Sequence, residues 1–196
     1  MMTRLAWIVA VTLGLTAGGF AFHFPGSYGN SVLDPAAGLF GFLIGAVHGL
    51  VVGALIWMAL RLSRPAGTRV LGAMVLIVGG THALNDGSST QIPFVLTEGV
   101  AGLLAAGVLA WRLGERRLVV LAVGGLAWAI GILVAGWSGS AIGLPLTETP
   151  MGWAQDHGWD GLVAGLIWGI ATAAVDLPRA LRRHPLGLSS PILTRE

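Results

Sequence analysis

Ala36-Ala-Gly-Leu-Phe-Gly-Phe-Leu-Ile-Gly-Ala-Val-His-Gly-Leu-Val-Val-Gly-Ala-Leu-Ile-Trp-Met-Ala-Leu60 contains no Asp, Glu, Lys or Arg, and Arg61 and Arg64 close it. At about 1.5 Å per residue a helix over this stretch exceeds the roughly 30 Å hydrocarbon core of a bilayer. Five further apolar stretches surround it, and the full set reads as about 4–22, 36–60, 69–85, 93–113, 117–137 and 150–178. The third is short and the sixth long, which predicts unequal tilt or an end protruding from the bilayer. The expectation is an all-α integral membrane protein, a bundle of six transmembrane helices over 1–178 with a short basic tail over 179–196.

Composition leads to the same class. The 196 residues are 55% hydrophobic and 10% charged, and the mean hydropathy is +0.80. A soluble domain carries about 25% charged residues, so the solvent this chain needs is lipid. The absence of cysteine excludes disulfides, thiolate metal sites and Cys nucleophiles, and all 11 basic residues are Arg, so Schiff-base and Walker A chemistry are excluded too. A formal charge of only +2 gives no reason to expect nucleic acid as a partner. Arg4, the apolar run from Leu5 and the small residue Ala21 have the shape of a signal peptide, but the run is read as a retained first span.

The arginines set the orientation. Arg4 precedes the first stretch; Arg61, Arg64 and Arg69 lie between the second and third; Arg112, Arg116 and Arg117 between the fourth and fifth; Arg179, Arg182, Arg183 and Arg195 follow the sixth. All fall on one side of a six-span chain, and the positive-inside rule makes that side cytoplasmic, with both termini there and the plasma (inner) membrane as location. Asp34-Pro35 and Thr149-Pro150 read as N-cap and first-turn pairs, and Pro93 opens the fourth stretch. The tail is expected to lie along the anionic cytoplasmic leaflet.

Glycines at spacing four mark packing faces. Gly41, Gly45, Gly49 and Gly53 form one ridge, Gly161, Gly165 and Gly169 another, and Gly14 and Gly18 a shorter one. Such ridges admit a second helix at close range. The partner is either a helix of the same chain or a second subunit, in a homo-oligomer or a larger membrane complex. His48-Gly-Leu-Val-Val-Gly-Ala-Leu-Ile-Trp57 also matches Asp160-Gly-Leu-Val-Ala-Gly-Leu-Ile-Trp168, with Glu98-Gly-Val-Ala-Gly as a looser copy ending at Trp111. The hairpins 1–2, 3–4 and 5–6 thus read as three similar units, although chance matches in low-complexity apolar sequence produce the same pattern.

Ionisable groups inside a span are costly and face the bundle interior. His48, Glu98 and Asp160 are the ones here. Counted from the outer helix starts, Glu98 lies about 8 Å deep, Asp160 about 15 Å and His48 about 18 Å. His82 and Asp86, with Thr81 and Asn85, cluster near the outer mouth. By this count His48 and His82 differ in depth by about 10–15 Å, which makes them a poor pair for a haem iron. Asp156, His157 and Asp160 have ligand chemistry suited to zinc or iron. The same segment reads equally as a wet interfacial turn with Trp153 and Trp159 as belt anchors, and that reading is preferred. His48 reads either as a structural histidine bonded to a neighbouring backbone carbonyl or as a site residue. Asp34, Asp86, Glu148 and Asp156 give the outer rim a cation-attracting character.

The expected function is a transport component that binds a small or cationic solute in an outward-facing polar funnel, and no enzyme activity is expected. Size, span number and cytoplasmic ends resemble the substrate-binding subunits of energy-coupling-factor vitamin or metal importers. The resemblance is one of size and topology, and no motif carries a residue role over. The alternatives are a non-catalytic, haem- or pigment-binding subunit of a larger complex and, third, an intramembrane metal-dependent enzyme. The sequence names no cofactor.

Overall fold

The computed structural model describes residues 2–22, 35–87, 100, 102–107, 109, 117–143 and 150–183. The regular elements among them are helices: α1 (Met2–Phe22), α2 (Pro35–Leu60), α3 (Arg64–Gly87), α4 (Arg117–Ala141), α5 (Pro150–Ala174) and α6 (Leu177–Arg183). Residues 100, 102–107 and 109 are helical as well. Among the described residues, three helices are long and apolar enough to cross a membrane, over Met2–Gly19, Gly38–Leu60 and Leu118–Ala141.

α2 and α4 carry large apolar side chains on their outer faces, and α2 has a row of glycines on its inner one. On α2, Leu39, Leu43, Val47 and Leu50 are exposed, while Gly41, Gly45, Gly49 and Gly53 are buried. On α4, Leu126, Ile130 and Leu133 are exposed. A helix in water places its large apolar side chains inward. The opposite arrangement suits lipid, where close backbone approach, not apolar burial, holds helices together.

Gly45, Gly49 and Gly53 of the first ridge and all three glycines of the second are filled from within the chain. A Cβ at Gly45 or Gly49 would strike the carbonyl oxygens of Val78 or Met74, and one at Gly53 would crowd the Leu71 Cα, so the α2 ridge lies on α3. Cβ atoms at Gly161, Gly165 and Gly169 would meet Leu15, Thr12 and Ile8, so the α5 ridge lies on α1. Gly14 and Gly18 of α1 face Val52 and His48 of α2. Gly102 faces Trp128, Gly124 faces Ala106, and Gly131 brings α4 onto Ala164 of α5. The closest contacts therefore pair α2 with α3, the 102–107 segment with α4, and α5 with α1. They are not confined to the hairpins picked out by the sequence repeat.

Not every glycine is needed for packing. An ideal Cβ at Gly72, Gly80 or Gly136 meets nothing within 4 Å. Alanine there gains helix propensity of up to about 1 kcal/mol with no collision. Gly72→Ala is therefore expected to raise resistance to unfolding slightly, as measured by thermal melts in detergent.

Two boundaries differ from the hydropathy reading. α3 begins at Arg64, five residues before the expected 69, and spans 24 residues, so the third helix is not short. The Gly67 N–H donates to the Ser63 carbonyl at 2.8 Å, and Pro65 falls in the first turn, where no N–H partner is required. Arg64 and Arg69 ride on the start of the helix, and Arg61 stands in the connection before it. The connection from α2 is correspondingly tight. Arg61 adopts φ 49°, its N–H donates to the Met58 carbonyl, and the Leu62 N–H donates to that of Trp57. This is a Schellman termination. The Trp57 indole N–H donates to the Leu62 carbonyl at 2.9 Å.

The sixth stretch, expected over 150–178, does not run through as one helix. α5 ends at Ala174 and Asp176 turns the chain at φ 60°, its N–H donating to the Ala173 carbonyl. α6 then carries the beginning of the tail; residues 184–196 lie outside the described ones. The Asp176 carboxylate receives both Arg4 Nε and a guanidinium NH2 group, at 3.0 and 2.6 Å, with Arg179 at 3.8 Å. This contact ties the start of α1 to the end of α5. Because Gly14 faces Val52 and Gly18 faces His48, α1 and α2 run antiparallel and the Arg4 end lies level with Arg61. Gly131 facing Ala164 likewise brings the Arg117 end of α4 level with the end of α5. Among the described residues, the arginines thus gather at one end of the bundle.

Above that end sits an aromatic core. Trp168 packs between Trp7 and Trp128, with ring centroids at 5.7 and 5.9 Å. The Trp7 indole donates to the Thr172 hydroxyl at 2.9 Å, which donates to the Trp168 carbonyl at 2.7 Å. Trp7, Ile56, Leu109, Val120 and Leu177 are essentially inaccessible around it.

Candidate functional site

Toward the end opposite the described arginines, the bundle holds a partly open cavity of about 110 Å³. Val11, Leu15, Val52, Met74, Ile77, Ala105, Trp128 and Trp168 form apolar walls; His48, His82, His157, Asp160 and Thr81 form one polar side. Each of α1 to α5 contributes lining residues.

His48 is 6% exposed. Its place in the bundle is made by Gly18, since a Cβ there would overlap the imidazole. Its Nδ1 faces His82 Nε2 at 3.4 Å, with the two rings edge to face at a centroid distance of 5.7 Å. Which nitrogen donates depends on the tautomer.

This contact corrects the depth estimate, which separated the two histidines by about 10–15 Å. A Cβ at Gly45 would lie 2.8 Å from the His82 Cβ, so His82 is level with a residue only three positions from His48, about 4.5 Å along the axis. Side chains lean toward the N-terminus of their own helix. α2 and α3 are antiparallel, so the two imidazoles lean toward each other and close the gap. Direct contact leaves no space for a haem between them.

His157 and Asp160 stand one turn apart on α5, His157 Nδ1 lying 3.7 Å from an Asp160 carboxylate oxygen. Gly19 lets α1 approach this turn, since a Cβ there would strike the His157 carbonyl. The segment is therefore helical and packed against α1, and the expectation of a turn here is corrected. The Trp159 indole donates to the Ser138 hydroxyl of α4 at 3.0 Å. The i, i+3 spacing of His157 and Asp160 was the signal that both share one helix face.

Of the residues singled out from sequence, the cavity brings together His48, His82 and Asp160, with Thr81 and His157. Glu98 lies outside the described residues, as do the side chains of Asp86, Asp156 and Trp153. Among the described residues, no three His, Asp or Glu side chains converge as ligands for one metal ion. Sequence reasoning missed Trp128 and Trp168 as cavity walls. The Trp168 indole N–H is buried with no hydrogen-bond partner among the described residues, and buried donors of this kind are normally satisfied by water or a guest.

Among the described residues, the chemistry on offer is one carboxylate, imidazole nitrogens able to donate or accept, two indole rings and an apolar wall. No family model, curated protein or solved structure matches the chain.

Proposed function

We propose that the chain is a transport component of the plasma (inner) membrane, with six spans and both ends in the cytoplasm, which binds a small cationic solute through the polar side of this cavity. The carrying observation is that His48, His82, His157 and Asp160, from three different helices, line one cavity. Intramembrane ionisable groups that share a cavity are the usual mark of a substrate or ion pathway. The clustering of arginines at the far end supports a cytoplasmic assignment of that end, which leaves the cavity nearer the outer face.

The glycine ridges are occupied by helices of the same chain. A partner subunit or second copy would therefore meet the protein through its exposed apolar stripes. The alternative of a haem- or pigment-carrying subunit gains no support from this cavity: an apolar cavity of about 150 Å³ accommodates benzene, and this one is smaller.

Two measurements test the reading. The chain has no cysteine, so single cysteines introduced at Ser88 and Ser190 report sidedness directly. Ser88→Cys is expected to label from outside intact cells and Ser190→Cys only after permeabilisation; the reverse pattern rejects the topology. Native mass spectrometry of the gently extracted protein is expected to show a small bound species. His48→Ala and Asp160→Ala should each weaken its retention about 10- to 100-fold while the protein stays folded. Unchanged retention in both variants rejects the cavity as the site.

A further inference from the structure

We infer that the transport path runs along the seam between α4 and α5, with Trp168 as the barrier across it and a groove at the end where the described arginines gather as its cytoplasmic mouth. This rests on the reading of the outer cavity as a solute site and adds the route out of it.

A second cavity lies between the same two helices. It is an open groove of about 280 Å³, lined by Val119 and Val120 of α4 and by Ala174, Val175 and Asp176 where α5 ends. The outer cavity reaches down this helix pair as far as Trp128 on α4 and Trp168 on α5. α4 runs away from the arginine end and α5 toward it, so the two spaces stand one above the other. Trp128 is eight residues from Val120 and Trp168 is six from Ala174, which separates the spaces by about 9–12 Å along the helix axes.

The buried residues that α4 and α5 place in that interval are small. They are Gly124, Gly125 and Ala127 on α4, and Gly169, Thr172 and Ala173 on α5. Trp168, at the top of the interval, is the bulky exception and is 3% exposed. Its indole nitrogen lies 3.5 Å from the place of an added Cβ at Gly124. The ring therefore reaches across the seam to α4, one turn below Trp128, and stands between the two spaces.

The bonding of the aromatic stack makes Trp168 the ring that can turn. The Trp7 indole is anchored to the Thr172 hydroxyl at 2.9 Å. The Trp168 indole N–H has no hydrogen-bond partner among the described residues. Turning the ring gives up contacts with Trp7 and Trp128 but no hydrogen bond that it donates there. It also borders the open space of the outer cavity. A barrier of this kind suits gating by side-chain and helix motion instead of by unfolding.

The groove is a mouth and not a second solute site. Its carboxylate, Asp176, holds Arg4 at 2.6 Å and Arg179 at 3.8 Å, and its other lining residues are apolar. Arg4 and Arg179 are themselves about half exposed, which puts the groove at the water-facing end of the bundle.

The absence of cysteine allows a test that needs no solute. Single cysteines replace Ile132 in the outer cavity and Val175 in the groove. The probe is the membrane-impermeant cation trimethylammonium-ethyl methanethiosulfonate, applied from outside to intact cells or from the cytoplasmic side to inverted vesicles. With Trp168 in place, Ile132→Cys should react from outside only and Val175→Cys from the cytoplasmic side only. Adding Trp168→Ala should raise the cytoplasmic-side reaction of Ile132→Cys at least about 10-fold. Trp168→Leu, which keeps more of the buried apolar volume and is the easier variant to fold, should raise it in the same direction. Trp7→Ala empties an equally buried place in the stack, on α1 and off the seam, and should not raise it. No gain in a folded Trp168 variant overturns the barrier, and so does an equal gain in Trp7→Ala, which would signal general loosening. Cytoplasmic-side reaction of Ile132→Cys with Trp168 in place, or no such reaction of Val175→Cys, overturns the path as well. All four results leave the outer cavity standing as a solute site. If Ile132→Cys reacts from neither side in any background, the outward-facing cavity itself falls, and the path with it.

Discussion

Gly49→Ala and Gly161→Ala should each destabilise the bundle by about 2 kcal/mol, and the double variant should fail to accumulate in folded form. The reason is what an added methyl would meet. At Gly49 an ideal Cβ stands 2.3 Å from the Met74 carbonyl oxygen, and at Gly161 2.3 Å from that of Leu15. Both obstacles are backbone on a neighbouring helix, so no rotamer change relieves them and the helix pair must separate. Overpacking of this kind costs about 1–3 kcal/mol and occasionally more, against a helix-propensity gain of up to about 1 kcal/mol. The collision wins. The two sites belong to different pairs, α2 on α3 and α5 on α1, so their losses should add. A total of about 4 kcal/mol is a large share of the 5–15 kcal/mol that typically holds a domain. Unfolding of each variant in mixed micelles checks this, with Gly72→Ala as the uncrowded control. Wild-type stability in Gly49→Ala and Gly161→Ala would mean that the two helix contacts are looser than the geometry states.

These contacts also show which parts of the fold could be read without coordinates. The helical class follows from the length of uncharged sequence between arginines. Spacing of four marks Gly45, Gly49 and Gly53 as one face, because the period of the helix is a local property. Which helix fills that face is not local. α2 takes α3, and α5 takes α1 from the far end of the chain. The start of α3 was misjudged for a related reason. Hydropathy registers Arg64 and Arg69 as the end of an apolar run, whereas the helix begins where backbone hydrogen bonds begin, at Ser63 and Gly67. Asp176 was invisible as a terminator because its contact with Arg4 joins residues 172 positions apart.

The site divides along the same line. His48 and Asp160 were legible as inward-facing because a charged or polar group in an apolar helix has few alternatives to the bundle interior. Their companions were not. His82 was assigned to the mouth by counting Cα positions, which ignores that side chains on antiparallel helices lean toward one another. His157 was assigned to an interfacial turn because Asp156-His157-Gly158-Trp159-Asp160 is polar. Gly19 on α1 nevertheless gives that segment a packed, helical place.

Gly18→Ala should leave the fold nearly intact and abolish solute retention to the extent that His48→Ala does. The collision here differs in kind from that at Gly49 or Gly161. An ideal Cβ at Gly18 lies 1.8 Å from His48 Cδ2 and 1.9 Å from Nε2, so the obstacle is a side-chain ring and not a backbone carbonyl. The ring can swing away, and the propensity gain of up to about 1 kcal/mol offsets part of the disturbance. Swinging away breaks the contact with His82 and moves the imidazole out of the cavity wall. Function should suffer more than stability. A double-mutant cycle separates the two effects. If Gly18→Ala acts by displacing the ring, adding it to His48→Ala should reduce retention no further, a coupling that cancels nearly the whole of the second loss. Retention that falls again in the double variant would mean that Gly18 shapes the cavity independently of His48. Full retention in Gly18→Ala alone would show that the position of the His48 ring does not matter to the bound solute.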